Sequence, residues 1–129
     1  MVINVDTSVL LAQLLAEDRV PAAPLWRETL VSSGLAEHEL FTRLHARKLT
    51  ASPGEAARAL LSRLALIELA PPVLARALEP FPVPVRTLDA LHLASIHFVR
   101  GLGREVTLAT FDERLALVAR KLGIRLAKV

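Results

Sequence analysis

The chain has 129 residues, 53% of them hydrophobic, with 16 basic against 13 acidic side chains and a net charge of +3. That length suits one domain, 1–129, that buries roughly two-thirds of its unfolded surface. No apolar run reaches the ~18 residues a membrane span requires, and no basic segment precedes an apolar one at the N-terminus. With no cysteine there is no disulfide, thiolate zinc site or cysteine nucleophile, which fits a reducing cytoplasm.

In chain order, Val2-Ile3-Asn4-Val5 is a short β-rich run. Asp6, Thr7 and Ser8, all N-cap types, precede a helix marked by Leu10, Leu11, Leu14 and Leu15. Pro21 and Pro24 interrupt the chain before a short helix through Trp26 and a second strand near Thr29–Ser32. A longer helix runs through Glu39 and Leu44, and another opens at Ser52-Pro53-Gly54-Glu55 with Ser52 as cap. Leu66–Leu69 is a third strand candidate. Five of the eight prolines fall between Pro71 and Pro84, which predicts a short helix and then an extended loop. Thr87 caps a helix to about Leu102, ended by Gly101 and Gly103. Val106–Ala109 is the fourth strand, Thr110–Leu122 a helix closed by Gly123, and Ile124–Ala127 the fifth strand. Strands alternating with helices predict an α/β fold, a five-stranded parallel sheet between two helical layers.

Ligands of open parallel sheets gather outside the carboxyl ends of the strands. Asp6 and Asp112 fall at such ends, Asp89 lies in a first helical turn, and Glu39 lies one to two turns into a helix. Asp6 and Asp89 are expected at an exposed edge. Carboxylates about 4 Å apart at an effective dielectric near 20 repel by roughly 4 kcal/mol, so a cluster of them calls for a cation. Mg²⁺ or Mn²⁺ would remove that cost and bring phosphodiester hydrolysis by a metal-activated water, with no covalent nucleophile. Two of the acids also have a purely structural role open to them. Asp6 can cap a helix, Asp89 can complement a helix dipole, and Thr110 with Glu113 forms a capping box that leaves Asp112 without structural duty.

The segments DTSVLL, SSGLAEHEL, LDALHLASI and TFDERLALVARKLGI, in that order, resemble the PIN-domain family, and within it the VapC-type toxins of toxin–antitoxin pairs. The likeness spans essentially the whole chain. It implies a five-stranded parallel PIN-like fold and Mg²⁺- or Mn²⁺-dependent endoribonuclease activity. It further implies Asp6, Glu39, Asp89 and Asp112 as catalytic and metal-holding acids, an RNA substrate, a cognate antitoxin and a homodimer. Thr7 or Ser8, Thr110 and Arg86 would then bond the acids or hold a phosphate. On a helical wheel Glu37 falls inside the apolar arc of Ala36, Leu40, Leu44 and Phe41, whereas the family pattern favours Glu39, six residues after Ser33 and just before Leu40. Some relatives carry another acid two residues past the Asp112 position, where this chain has Arg114.

The remaining features are less specific. His92 is expected to pack or bond beside the site, His97 to lie in the core or an interface, and His38 and His45 to face solvent. Thirteen Arg against three Lys suits phosphate recognition, with Arg43, Arg47, Lys48, Arg86, Arg114, Arg120 and Lys121 flanking the acid segments; GC-rich coding would give the same ratio. The apolar surplus fits a surface covered by a second copy or another protein, or an Ala/Leu-rich genome. A catalytically silent module binding RNA or protein is the alternative function, though it has no use for four mutually repelling acids. A phosphoacceptor signalling domain needs an acidic pair after the first strand and an Asp after the third, and neither is present.

Overall fold

The computed structural model describes residues 1–16, 19–47 and 51–129, with backbone alone for 51–53. Five strands form one sheet: β1 (Val2–Val5), β2 (Thr29–Ser33), β3 (Ala65–Ile67), β4 (Val106–Ala109) and β5 (Arg125–Leu126). Their order is β3-β2-β1-β4-β5, and every pairing is parallel. The chain winds outward from β1 through β2 to β3, then returns to the other side of β1 for β4 and β5. The direction of winding therefore reverses between β1 and β4, which is where open parallel sheets place their ligand crevice.

The strands alternate their side chains between two cores. Ile3, Val5, Leu30 and Ala109 pack with α1 (Thr7–Leu15), α2 (Leu35–Ala46) and α3 (Ala51–Leu61). Val2, Val31, Val106 and Leu108 pack with α5 (Thr87–Gly101) and α6 (Glu113–Lys121). This is the expected three-layer α/β/α arrangement, and a period of two in β-structure produces it directly. Leu40, Leu93, Ile96 and Leu108 are fully buried, each worth about 1.5–3 kcal/mol relative to exposure. A 3₁₀ turn (Ala23–Arg27) carries Trp26, and α4 (Pro71–Ala77) packs on α5.

Several expected boundaries move. The third strand ends at Ile67 rather than Leu69, because Gly34 N–H donates to the Ile67 carbonyl at 2.8 Å and closes the ladder there. A Cβ on Gly34 would sit 3.2 Å from that same oxygen, so glycine lets the two segments approach. Thr87 is the first helical residue of α5 rather than its cap; Arg86 takes the cap position, without a side-chain cap bond. Gly101 is still helical, and the break falls at Gly103, whose φ of +83° favours glycine. The last helix begins at Glu113, not Thr110. The α3 helix begins at Ala51, one residue ahead of the expected cap Ser52, whose side chain lies outside the described residues. No helix among the described residues is long and apolar enough to cross a membrane.

Candidate active site

At the carboxyl edge of the sheet a cavity of about 570 Å³ is lined by Asp6, Glu39, Asp89 and Asp112, delivered by four different segments. Asp6 directly follows β1 and caps α1, accepting from Ser8 N–H. Its Oδ2 also accepts from Ser8 Oγ at 2.7 Å and from Thr110 Oγ1 at 2.8 Å. Contrary to the expectation of an exposed edge, Asp6 is only 6% exposed. The parallel ladder seats it there, since its backbone N–H donates to Ala109 O at 2.9 Å across the β1–β4 pair.

Thr110 links two acids. Its hydroxyl donates to Asp6 and accepts from the Asp112 N–H at 2.9 Å. The predicted capping box does not form. Asp112 is itself the cap of α6, with Oδ1 accepting from Arg114 N at 2.9 Å and Leu115 N at 3.3 Å. Asp112 thus has the structural duty that sequence reasoning assigned to Thr110. The reason is that Thr110 is held by Asp6, a partner 104 residues away that no local motif reveals.

Glu39 stands at the flank of α2, half-buried, while Glu37 is exposed. One Glu39 oxygen, Oε1, accepts from Thr7 Oγ1 at 2.9 Å and from His92 Nε2. His92, 3% exposed on α5, therefore bonds beside the site as expected, whereas His97 is exposed rather than in the core. His38 and His45 are exposed on α2. Burial opposes ionisation of Glu39, but the hydrogen bond and charge of His92, with Thr7 and Arg43, prevail and leave its pKa below the ordinary 4.5. Burial also opposes ionisation of His92, which would lower its pKa; the hydrogen bond and charge of Glu39, helped by Asp6 and Asp89, instead raise it above 6.5. For Asp89 burial comes first, and the charges of Asp112 and Asp6 add to it, so its pKa rises despite Arg86. Asp89 thus feels Asp112 and Asp6 across the cavity.

The linkage gives a pH prediction for metal-free protein. The raised His92 contributes stability that is fully present below 6.5 and is lost as pH climbs through its folded value. The lowered Glu39 contributes stability present above 4.5 and lost as pH falls through its folded value. The urea midpoint of wild type minus that of Glu39→Gln should therefore peak between those limits and shrink toward pH 9. A difference that stays flat from pH 5.5 to 9 in urea melts with EDTA would show that the pair does not ionise.

The donors suit a hard divalent cation in kind. Asp6 Oδ1, Glu39 Oε2 and Asp89 Oδ1 take no hydrogen bond from the described residues, and Asp112 Oδ2 meets only Arg86 at 3.7 Å. Three of the acids thus keep one oxygen for a ligand, while that of Asp112 is shared with Arg86. Among the described residues no three His, Asp or Glu groups already form a metal-ready cluster. Mg²⁺ retains several waters and takes one or two protein carboxylates, so lining oxygens without a closed cage match its habits.

Basic groups border the acids. Arg43, Arg47 and Arg86 line the cavity, as their positions beside the acid segments predict, and Lys48 lies outside the described residues. Arg19 and Phe111 line it too, the guanidinium 5.7 Å from the ring centroid. Sequence reasoning missed both, because Arg19 lies beyond the end of α1 and carries no motif. Arg114, where some relatives have an acid, borders a neighbouring depression shared with Arg86 and Asp89.

A family model for the PIN domain matches residues 3–121. A protein described as ribonuclease VapC47, from Mycobacterium tuberculosis (strain CDC 1551 / Oshkosh), is 33% identical over 94% of this chain and 92% of its own length.

Proposed function

The chain belongs to the PIN-domain family, and on that premise we propose that it is a divalent-metal-dependent endoribonuclease, the toxin of a toxin–antitoxin pair. The observation that carries the reading is the single cavity lined by Asp6, Glu39, Asp89 and Asp112, the first three each with an oxygen that takes no hydrogen bond from the described residues. A silent binding module would have no use for such a set, whose mutual repulsion Arg86 offsets only at Asp89 and Asp112.

In this reading the four acids together would provide the site for Mg²⁺ or Mn²⁺, directly or through waters that the cation retains. When bound, the cation supplies Lewis-acid polarisation of the phosphoryl group and activation of the attacking water. Thr7, Ser8, Thr110 and His92 fix the acids by occupying one oxygen of Asp6 and one of Glu39, so that the remaining oxygens keep a set direction. Arg43 and Arg47, with Arg19, hold flanking phosphates, because an acidic floor alone would repel the polymer. Exposed Leu74, Leu78 and Leu88 suit a homodimer or an antitoxin contact.

Cleavage of a fluorescent RNA should vanish in EDTA and return on adding Mn²⁺ in excess. Persistent cleavage in EDTA by protein freed of co-purifying nuclease would defeat the metal mechanism. Growth arrest on expression, relieved by a neighbouring small gene, separates a toxin from a housekeeping nuclease.

A further inference from the structure

Arg86 occupies an unusual place among the basic groups at the cavity. It sits at the cap position of α5, and its Nε lies 3.4 Å from Asp89 Oδ2 while its Nη2 lies 3.7 Å from Asp112 Oδ2. One guanidinium thus spans two carboxylates that come from different helices. Both distances exceed the 2.7–2.9 Å typical of a tight charge-assisted bond. The side chain is also 62% exposed, against 14% for that of Asp89 and 31% for that of Asp112. Exposed pairs of this kind are weak and exchange readily with solvent. Asp112 is held by its cap bonds to α6 and Asp89 is mostly buried, whereas the arm that neutralises them is loosely held and free to leave.

We propose that Arg86 is a resident counter-ion that competes with the divalent cation for Asp89 and Asp112 and, once displaced, donates to a substrate phosphate. This rests on the metal-nuclease reading above. A cation entering between the two acids meets the positive guanidinium and must drive it away, so Arg86 weakens metal binding to the empty site. The displaced fork of donors then points from a cap position beside the cavity, where a bound phosphate needs positive charge. By reciprocity, whatever draws Arg86 off the acids strengthens metal binding, so cation and RNA each favour the other. The fold supplies the means without a moving loop, since a single long side chain has two alternative anionic partners.

The test titrates Mn²⁺ alone into wild type, Arg86→Ala and Arg86→Gln, following free Mn²⁺ by electron paramagnetic resonance. Arg104→Ala, an exposed position ahead of β4 at the opposite end of the strands, controls for net charge. Both Arg86 variants should bind Mn²⁺ roughly threefold more tightly or better, with Arg104→Ala close to wild type. At saturating Mn²⁺ their KM for RNA should rise by roughly fivefold or more. An Mn²⁺ affinity that is unchanged or weaker in both Arg86 variants overturns the proposal, as does an equal tightening in Arg104→Ala. Tightening with an unaltered KM removes the phosphate step. Failure of the broader reading looks different: wild type does not bind Mn²⁺, or Asp89→Asn binds it as well as wild type does.

Discussion

Asp6→Asn is expected to lower RNA cleavage on the order of 10³-fold, equivalent to about 4 kcal/mol of transition-state stabilisation, with the fold left in place. Asn and Asp are nearly equal as helix caps, and the Asn carbonyl can take over the Oδ2 position that accepts from Ser8 and Thr110. The amide then falls at the Oδ1 position, which takes no hydrogen bond from the described residues. What is lost is the charge and a donor oxygen toward the cation. Asp89→Asn should act similarly, with a cost of about 0.3–1 kcal/mol for the lost helix-dipole complement. Cleavage at saturating Mn²⁺ and thermal unfolding by circular dichroism measure the two effects together. Either variant retaining cleavage within threefold of wild type, while folded, would remove the acid from the reaction.

The strand–helix alternation was readable because β-rich runs such as Val2–Val5 and Val106–Ala109 are short, apolar and punctuated by N-cap residues. The parallel topology, which sends every strand's end to one edge, made convergence of the four acids an expectation rather than a necessity. Details set by long-range contact were not readable. The cap of α6 passed from Thr110 to Asp112 because Asp6 claims the Thr110 hydroxyl. Periodicity pointed to Glu37 because it treats the apolar stripe of α2 as facing one plane. In the fold α2 touches α1, α3 and α5, so the cavity lies at the edge of the stripe and it is Glu39 that reaches His92. An acid at that edge keeps partial hydration, which one in the centre would lose. Arg19 carried no signal at all, since no local pattern fixes its position, and of the two places expected for His97 its exposure excludes the core.

Thr110→Val should cost about 1–3 kcal/mol of stability and roughly 10- to 100-fold in cleavage, and Thr110→Ser should restore most of both. Valine matches threonine in shape but cannot accept from Asp112 N–H or donate to Asp6 Oδ2. The first loss leaves a backbone donor unpaired just ahead of α6. The second leaves Asp6 Oδ2 held by Ser8 N–H and Oγ alone, so its outward oxygen is less firmly directed. A residue that only filled space would tolerate valine and show no rescue by serine, whose smaller side chain packs less well. The decisive measurements are the urea midpoint and the Mn²⁺ dependence of cleavage in the three proteins. The positioning role predicts that valine shifts the Mn²⁺ requirement upward and that serine returns it. Equal Mn²⁺ requirements in all three would reduce Thr110 to a packing residue and leave the orientation of Asp6 to Ser8 alone.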